Sequence, residues 1–386
     1  MNAFSFYSSH GLICKPGAIQ DLGAYCSSNR YQKALLVTDP GIVAVGLLQP
    51  VVEALQANQI EVAVYDQVQA DPAQRIVEQA TQYAIDTQAE AIIGLGGGSS
   101  LDVAKLVALL AKGEERLDEI YGVNLVKGTR LPLIQIPTTS GTGSEVTAVS
   151  IITVGETEKK GVVSPRLLPD LAVLDAELTV GLPAMITATT GIDAMVHAIE
   201  AYTSVNPNHN GISDLFACKA LELLGGNIRQ AVMDGSNLDV RSEMLLGSML
   251  AGQAFANSPV AAVHALAYPL GGIYHLSHGL TNALVLPHVM QFNQAVCAQQ
   301  YAELAPIVFP DMAQISDSAE RSDQFIEALA QLNRDLLGEV RLRDYGIEES
   351  ALPMLAEEAM KQTRLLGNNP REVTQEDALK IYQAAW

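Results

Sequence analysis

Ala91-Ile-Ile-Gly-Leu-Gly-Gly-Gly-Ser-Ser100 decides the fold class of this chain. Ala91 to Leu95 is a short apolar run that reads as a buried strand. The glycines that follow permit a tight turn, and Ser100 to Ala111 carries helical spacing. Upstream, strand and helix patterns alternate in the same way. Lys33 to Thr38 is a buried-strand pattern ending at Asp39-Pro40-Gly41, Gly46 to Ala57 reads as a helix, Glu61 to Tyr65 as a second strand and Ala73 to Thr87 as a helix. Downstream, Leu133 to Ile136 is a fourth strand closing on Pro137-Thr138-Thr139. Strands alternating with helices predict a parallel sheet covered on both faces, with ligands bound at the carboxyl ends of its strands.

From Thr142 to Asp175 the pattern is irregular or extended, with Ser150–Thr153 and Leu171–Leu174 as further strand candidates. After Gly181-Leu-Pro183 long Ala/Leu/Met-rich segments take over: 212–224, 238–256, 298–307, 322–337, 349–362 and 374–384. We place a boundary near Leu182, giving an α/β domain over residues 1–182 and an all-helical domain over 183–386. Two domains suit 386 residues, a length beyond what one core usually supports.

The 43 acidic against 23 basic residues give a formal net charge of −20. That excludes general binding to nucleic acid or anionic membranes, which need a basic surface. It leaves phosphate-bearing cofactors open, because backbone N–H groups at a helix N-terminus hold phosphate without basic side chains. The four cysteines form no CxxC pair and no disulfide framework. The N-terminus lacks a signal-peptide pattern and no apolar run is long enough to span a bilayer, so the expectation is a cytoplasmic protein.

Two loops at strand ends carry cofactor chemistry. Gly94-Leu-Gly96-Gly97-Gly98-Ser99-Ser100 is not a clean GxGxxG, since Ser99 takes the last position. The usual fingerprint also wants an acid about 20 residues downstream, whereas the available acid, Asp39, lies upstream. A variant dinucleotide site therefore fits better than a standard one, with a glycine-rich structural turn as the plainer alternative. Asp39 suits ribose hydroxyls and would repel a 2′-phosphate, favouring NAD over NADP; an Asp-Pro-Gly turn is the simpler account of it. The second loop, Pro137-Thr138-Thr139-Ser140-Gly141-Thr142-Gly143-Ser144-Glu145, supplies hydroxyls for phosphate or ribose, or else is a polar turn.

Five of the seven histidines fall between Gly191 and Pro287, an apolar stretch. Asp193 and His197 are four apart and share one helix face. A lone core histidine is usually just hydrogen-bonded, but a carboxylate beside it in an apolar helix needs a partner or a metal. His264 sits in Ala261-Ala-Val-His-Ala-Leu-Ala, and His275 and His278 each offer a further imidazole that spacing alone does not separate. His209 lies in a polar stretch, and His10 and His288 have no partner in sequence. An imidazole–carboxylate set suits Fe²⁺, Zn²⁺, Mn²⁺ or Co²⁺, and the lack of thiolate ligands favours a catalytic over a structural metal.

Gly96-Gly-Gly-Ser-Ser-Leu-Asp102-Val-Ala-Lys105, Pro137-Thr-Thr-Ser-Gly-Thr-Gly-Ser-Glu145, Gly191-Ile-Asp-Ala-Met-Val-His197 and His264…His278-Gly-Leu-Thr-Asn-Ala resemble the iron-containing (group III) alcohol dehydrogenases over essentially the whole chain. The resemblance implies an N-terminal NAD-binding α/β domain and an all-helical metal-binding domain (a dehydroquinate synthase-like architecture), with the metal in the cleft between them. It implies metal ligands Asp193, His197, His264 and His278, and so selects His278 over His275. It further implies that Gly97, Gly98 and Ser99 belong to the pyrophosphate loop, with Gly96 and Asp102 also cofactor-binding, Thr138, Thr139 and Thr147 to the second cofactor loop, Lys160 to the nicotinamide ribose and Asp39 to NAD preference. The implied cofactors are NAD and Fe²⁺, with Zn²⁺ as the alternative metal. The implied assembly is a homodimer or higher homo-oligomer. Many members carry a histidine four residues after the His264 position, credited with proton relay or substrate contact; here it is Tyr268, a phenol with an ordinary pKa near ~10.

The expected activity is metal-assisted hydride transfer between a nicotinamide and a small alcohol or aldehyde. The apolar segment Phe255–Pro259 and Tyr268 suggest a weakly polar substrate. Two rivals share the features above. A dehydroquinate-synthase-like lyase would handle a multiply charged phosphorylated substrate, yet Asp193–Ile307 holds only Lys219, Arg229 and Arg241 as cations. A non-catalytic metal-binding scaffold would not need all four ligand positions.

Overall fold

The computed structural model describes residues 3–113, 115–155, 158–339 and 341–386. Within it the chain divides into two compact units, Tyr7–Gly181 with Ser236–Leu245, and Leu182–Gly235 with Leu246–Trp386 and the N-terminal segment to Phe6.

The first unit is built on a six-stranded parallel sheet. Its strands are β1 (Leu12–Cys14), β2 (Lys33–Val37), β3 (Glu61–Tyr65), β4 (Ala91–Gly96), β6 (Leu133–Pro137) and β9 (Leu171–Leu174), in the order β1-β9-β6-β4-β2-β3. The register pairs Leu36 with Ile93 and Ile93 with Ile134, aligning the ends of β2, β4 and β6. Alternation of side chains divides these strands between two cores. Leu35, Val37 and Ile92 pack on one face with helices α4 (Gln74–Asp86) and α5 (Gly98–Leu110). Leu36, Ile93, Leu95 and Ile136 pack on the other with α1 (Leu22–Ser28) and α3 (Leu48–Gln56). Both faces are covered, which is why these strands read as continuous apolar runs.

Two features differ from the sequence reading. Asp39-Pro40-Gly41 is not a simple turn: Asp39 is the N-cap of a short helix, α2 (Pro40–Ala44), accepting from the Gly41 and Ile42 N–H groups at 2.9 and 3.1 Å. Acid at the N-cap with proline next is a helix-start pattern. And the stretch after Thr142 is more ordered than an irregular segment: β7 (Val149–Val154), at the strand candidate Ser150–Thr153, and β8 (Glu158–Val163) pair antiparallel, and β8 joins the earlier β5 (Gly122–Val123) to complete a second, three-stranded sheet.

The second unit is helical: α6 (Ala184–Thr203), α7 (Gly211–Met233), most of α8 (Leu238–Asn257), α9 (Ala262–Tyr274), α10 (His278–Val308), α11 (Ser318–Leu337), α12 (Leu352–Met360), α13 (Thr363–Leu366) and α14 (Gln375–Ala385). Helix α6 is its centre. Every residue from Gly191 to Ala201 is buried, and α7, α10 and α11 pack around it. A helix enclosed in this way is apolar all round, so any polar group on it must find a partner. The N-terminal segment joins this unit through Ser5, whose N–H donates to Asn208 Oδ1 at 2.8 Å, and through Phe6 stacked on Phe216. Among the described residues no helix is long and apolar enough to cross a membrane.

Candidate metal and cofactor sites

Asp193, His197, His264 and His278 converge within the helical unit. Each offers one ligand atom, and the four atoms lie within 4.8 Å of one another. Asp193 Oδ1 is 4.0 Å from His197 Nε2, 3.9 Å from His264 Nε2 and 3.7 Å from His278 Nε2. Asp193 and His197 come from one turn of α6, His264 from the first turn of α9 and His278 from the first residue of α10. The start of α10 reaches α6 because residue 279 is glycine: a Cβ there would lie 2.3 Å from the Thr189 carbonyl oxygen. His275 is excluded from the set. It is the left-handed C-cap of α9, with φ 56°, and is exposed.

The donor set fits a divalent transition metal. One carboxylate and three imidazoles suit Fe²⁺ or Zn²⁺, and the Asp193 carboxylate is 2% exposed in an otherwise apolar helix, where an unpaired charge is costly. Burial works to raise its pKa, but the charges of His197, His278 and His264 and the Asn282 hydrogen bond outweigh it and hold the carboxyl below its usual range. Three ligands are buried, whereas the His278 side chain is 44% exposed, so the set is open on that side. Catalytic metal sites keep such an open position.

Further side chains hold the ligands in place. The His197 ring stacks on Phe255, with centroids 4.4 Å apart, and on His264 at 4.7 Å. Asn282, one helical turn beyond His278, donates from Nδ2 to Asp193 Oδ1 at 2.6 Å and lies 3.3 Å from both His264 Nε2 and His278 Nε2. Glu200 meets His264 Nδ1 at 2.6 Å. The signal for Glu200 was present in sequence: it is an acid seven residues after Asp193 in the same apolar helix, and the argument that flagged Asp193 applies to it equally.

In the α/β unit the second group of predicted residues assembles at the carboxyl ends of β2, β4 and β6. Gly96 has φ +144°, and a Cβ there would sit 2.9 Å from Ser100 and 3.1 Å from Asp39 Oδ2. The two loops lie against each other: a Cβ on Gly98 would meet Thr142 at 2.8 Å and one on Gly97 would reach Thr139 at 3.8 Å, while the Thr138 N–H donates to the Gly96 carbonyl at 3.0 Å. Helix α5 begins at Gly98 and Ser99 with no side-chain cap, leaving backbone N–H groups at its positive end. Asp39 Oδ2 accepts from Ser100 Oγ at 3.1 Å.

Asp102 and Thr147 are engaged beneath these loops by a residue not singled out from sequence, Lys105. It is fully buried, and its Nζ lies within hydrogen-bond distance of four oxygens that share its three hydrogens: Asp102 Oδ1 (3.2 Å), Ser144 Oγ (2.7 Å), Thr147 Oγ1 (3.0 Å) and the Val149 carbonyl (2.6 Å). Asp102 also accepts from Ser144 Oγ at 2.6 Å and the Ile151 N–H at 2.8 Å. Burial pushes the Lys105 ammonium below its usual pKa, against the opposing pull of Asp102 and Glu145. Glu145 is itself buried, and its carboxyl is pushed up to about 7 by burial, with a backbone hydrogen bond and Lys105 acting the other way. Lys160 stands on β8, its Nζ 5.5 Å from the centre of the Tyr121 ring and 3.5 Å from Glu158. Tyr268 lies on α9 one turn after His264.

Comparison with known proteins agrees with both halves. The family description "Iron-containing alcohol dehydrogenase" matches residues 9–176, and "Fe-containing alcohol dehydrogenase family, C-terminal" matches residues 187–386. The chain is 41% identical over 355 residues to long-chain-alcohol dehydrogenase 1 of Geobacillus thermodenitrificans, covering 91% of this chain and 89% of that one. It is 37% identical over 386 residues to sulfoacetaldehyde reductase of Bilophila wadsworthia, covering 99% of each. The crystal structure of a 1,3-propanediol oxidoreductase superposes with a TM-score of 0.95 at 34% identity, over 100% of both chains. With an aspartate–histidine cluster in the helical unit and glycine- and hydroxyl-rich loops at the sheet edge, the chain belongs to the iron-containing alcohol dehydrogenase family of metal-dependent oxidoreductases.

Proposed function

We propose that this enzyme transfers hydride between NAD(H) and a small alcohol or aldehyde, with Fe²⁺ held by Asp193, His197, His264 and His278 and Zn²⁺ as the alternative metal. The convergence of these four ligand atoms within 4.8 Å carries the reading. Family membership decides the reaction class and sets aside the lyase and the non-catalytic scaffold. When bound, the metal supplies Lewis-acid polarisation of the substrate oxygen and the nicotinamide gives or takes the hydride.

The chain's own groups set up that reaction. Gly96, Gly97, Gly98 and Ser99, at the uncapped start of α5, receive the pyrophosphate on backbone N–H groups. Thr138 and Thr139 line the facing loop. Asp102 and Thr147 serve the cofactor indirectly, because Lys105 ties both to the strand that follows. Asp39 selects NAD over NADP by repelling a 2′-phosphate, and Lys160 serves the nicotinamide ribose. In the helical unit Tyr268 Oη is the group that hands a proton to, or takes one from, the reacting oxygen.

The relatives' names span a long-chain alcohol and a sulfonated aldehyde; for this chain we favour a small, weakly polar substrate on the strength of Phe255 and Tyr268. A cytoplasmic homodimer is the assembly we favour. The test is protein purified without oxygen, assayed for metal content and for NADH oxidation across a panel of small aldehydes. Bound iron near one per chain and turnover with NADH are expected; absence of turnover with either Fe²⁺ or Zn²⁺ supplied would overturn the reading.

A further inference from the structure

Glu200 stands on the metal-bearing helix α6 without being one of the four ligands. It is 4% exposed, and both of its carboxylate oxygens are engaged. Oε1 accepts from the Val263 backbone N–H at 2.6 Å, and Oε2 lies 2.6 Å from His264 Nδ1. A carboxylate only accepts, so this second bond requires the imidazole hydrogen to sit on Nδ1. In the neutral ring, the form that binds metal, the other nitrogen, Nε2, then carries the lone pair. Nε2 is the atom of His264 that lies in the ligand cluster, 3.9 Å from Asp193 Oδ1.

We propose that Glu200 is a positioning residue of the metal centre, holding His264 in the tautomer whose Nε2 is free to bind a divalent cation. The proposal rests on reading the four residues as a metal site. A competing account makes Glu200 a mere cap for α9, since Ala261 at its N-cap has no side-chain acceptor to offer. The two oxygens separate these roles, because capping uses Oε1 and tautomer control uses Oε2.

Glu200→Gln exploits the difference. The amide keeps one acceptor. A backbone N–H cannot give up its hydrogen, whereas an imidazole can move its own between nitrogens, so the amide oxygen stays with Val263 and the NH₂ faces His264 Nδ1. That nitrogen must then accept, and the hydrogen moves to Nε2, blocking the ligand atom. A cap-only role predicts no such change.

Two measurements on the full-length chain test this. Histidine ¹⁵N shifts of metal-free protein, with the His264 signal assigned through His264→Gln, should show Nδ1–H in the wild type and Nε2–H in Glu200→Gln. Competition with a chelator should show Zn²⁺ binding weakened about 10–100-fold in Glu200→Gln, with metal-free thermal unfolding close to wild type. Wild-type affinity together with an unchanged tautomer in the variant would overturn the proposal, as would Nε2–H on His264 in the wild type; if the variant does not fold, the wild-type spectrum alone decides. Should the wild type bind neither Zn²⁺ nor Fe²⁺, the metal reading itself falls and the proposal with it, an outcome distinct from equal Zn²⁺ binding by both proteins.

Discussion

The Tyr268 ring lies 6.0 Å from the His278 ring, centroid to centroid, and is tilted 55° to it. That puts a phenol beside the most exposed of the four ligands, at the position where the family resemblance implies an imidazole. Tyr268→Phe keeps the ring and removes the hydroxyl. The expected outcome is a fall in kcat of about 10²-fold, in the range for one proton-transfer group, with metal content unchanged. Tyr268→His should add a limb to the pH profile of alcohol oxidation near pH ~6.5, activity rising as the new imidazole loses its proton. An unchanged kcat in Tyr268→Phe would route the proton elsewhere.

Asp193→Asn tests the metal centre with almost no change in shape. Asp193 Oδ1 faces three histidine nitrogens and accepts from Asn282, so the variant removes the one negative charge of the set. Bound metal should fall to a small fraction of one per chain and alcohol oxidation by roughly 10³-fold, the equivalent of about 4 kcal/mol of lost transition-state stabilisation. Chelation of the wild type should give the same loss, restored by Fe²⁺. Fe²⁺ should not restore the variant. Full activity in Asp193→Asn would remove Asp193 from the site.

Asp39 holds two jobs that substitution can separate. Its Oδ1 caps α2 and its Oδ2 accepts from Ser100. Asn at this position keeps the cap and removes the charge, whereas Ala loses both. We expect Asp39→Asn to narrow the preference for NADH over NADPH by about tenfold, the worth of ~1.4 kcal/mol, at nearly wild-type stability. Asp39→Ala should show the same change in preference together with a loss of about 1 kcal/mol in stability from the missing cap. A preference unchanged in both variants would leave Asp39 as a cap only.

How far the sequence could be read depended on the range of the interactions. Leu171–Leu174 coincides with the strand expected, because burial on both faces writes a continuous apolar run into a few adjacent residues; Glu61–Tyr65 also coincides, as a partly exposed edge strand that keeps the apolar run Val62–Tyr65. Asp193 and His197 were legible for a related reason: one helical turn sets their relation. Helix α10 was not. Only 298–307 read as helix, yet the element runs from His278 to Val308 with Pro287 and Pro306 inside it. Its packing against α6, α9 and α11 overrides the proline signals. Strand β7 coincides with the candidate Ser150–Thr153, whereas β8 was obscured because Glu158, Lys159 and Lys160 leave it without a clean apolar run. Lys105 was missed because its partners Ser144 and Thr147 are 39 and 42 residues away, and Asn282 because Asp193 is 89 residues away. No spacing rule connects such pairs. The Asp193 cluster needed either the fold or the family resemblance to choose His278 over His275.

The Lys105–Glu145 pair gives the α/β unit a predictable response to pH. Glu145 is 1% exposed, and its carboxyl is pushed from an ordinary 4.5 up to about 7, burial outweighing the backbone bond and Lys105. The folded state therefore holds this proton more tightly than the unfolded chain does. The resulting stabilisation is fully present below pH 4.5 and is lost as pH rises through about 7. The loss amounts to on the order of 3 kcal/mol. Glu145→Gln replaces the carboxyl by a neutral group that cannot titrate. Urea unfolding followed from about pH 3.5 to 8 should show the two curves parallel below pH 4.5 and wild-type stability declining relative to the variant above it. Groups titrating in both proteins, including Asp193, whose lowered pKa stabilises in the opposite direction at acid pH, cancel in the difference. Parallel curves over the whole range would mean that Glu145 is ionised in the folded protein throughout, held so by Lys105.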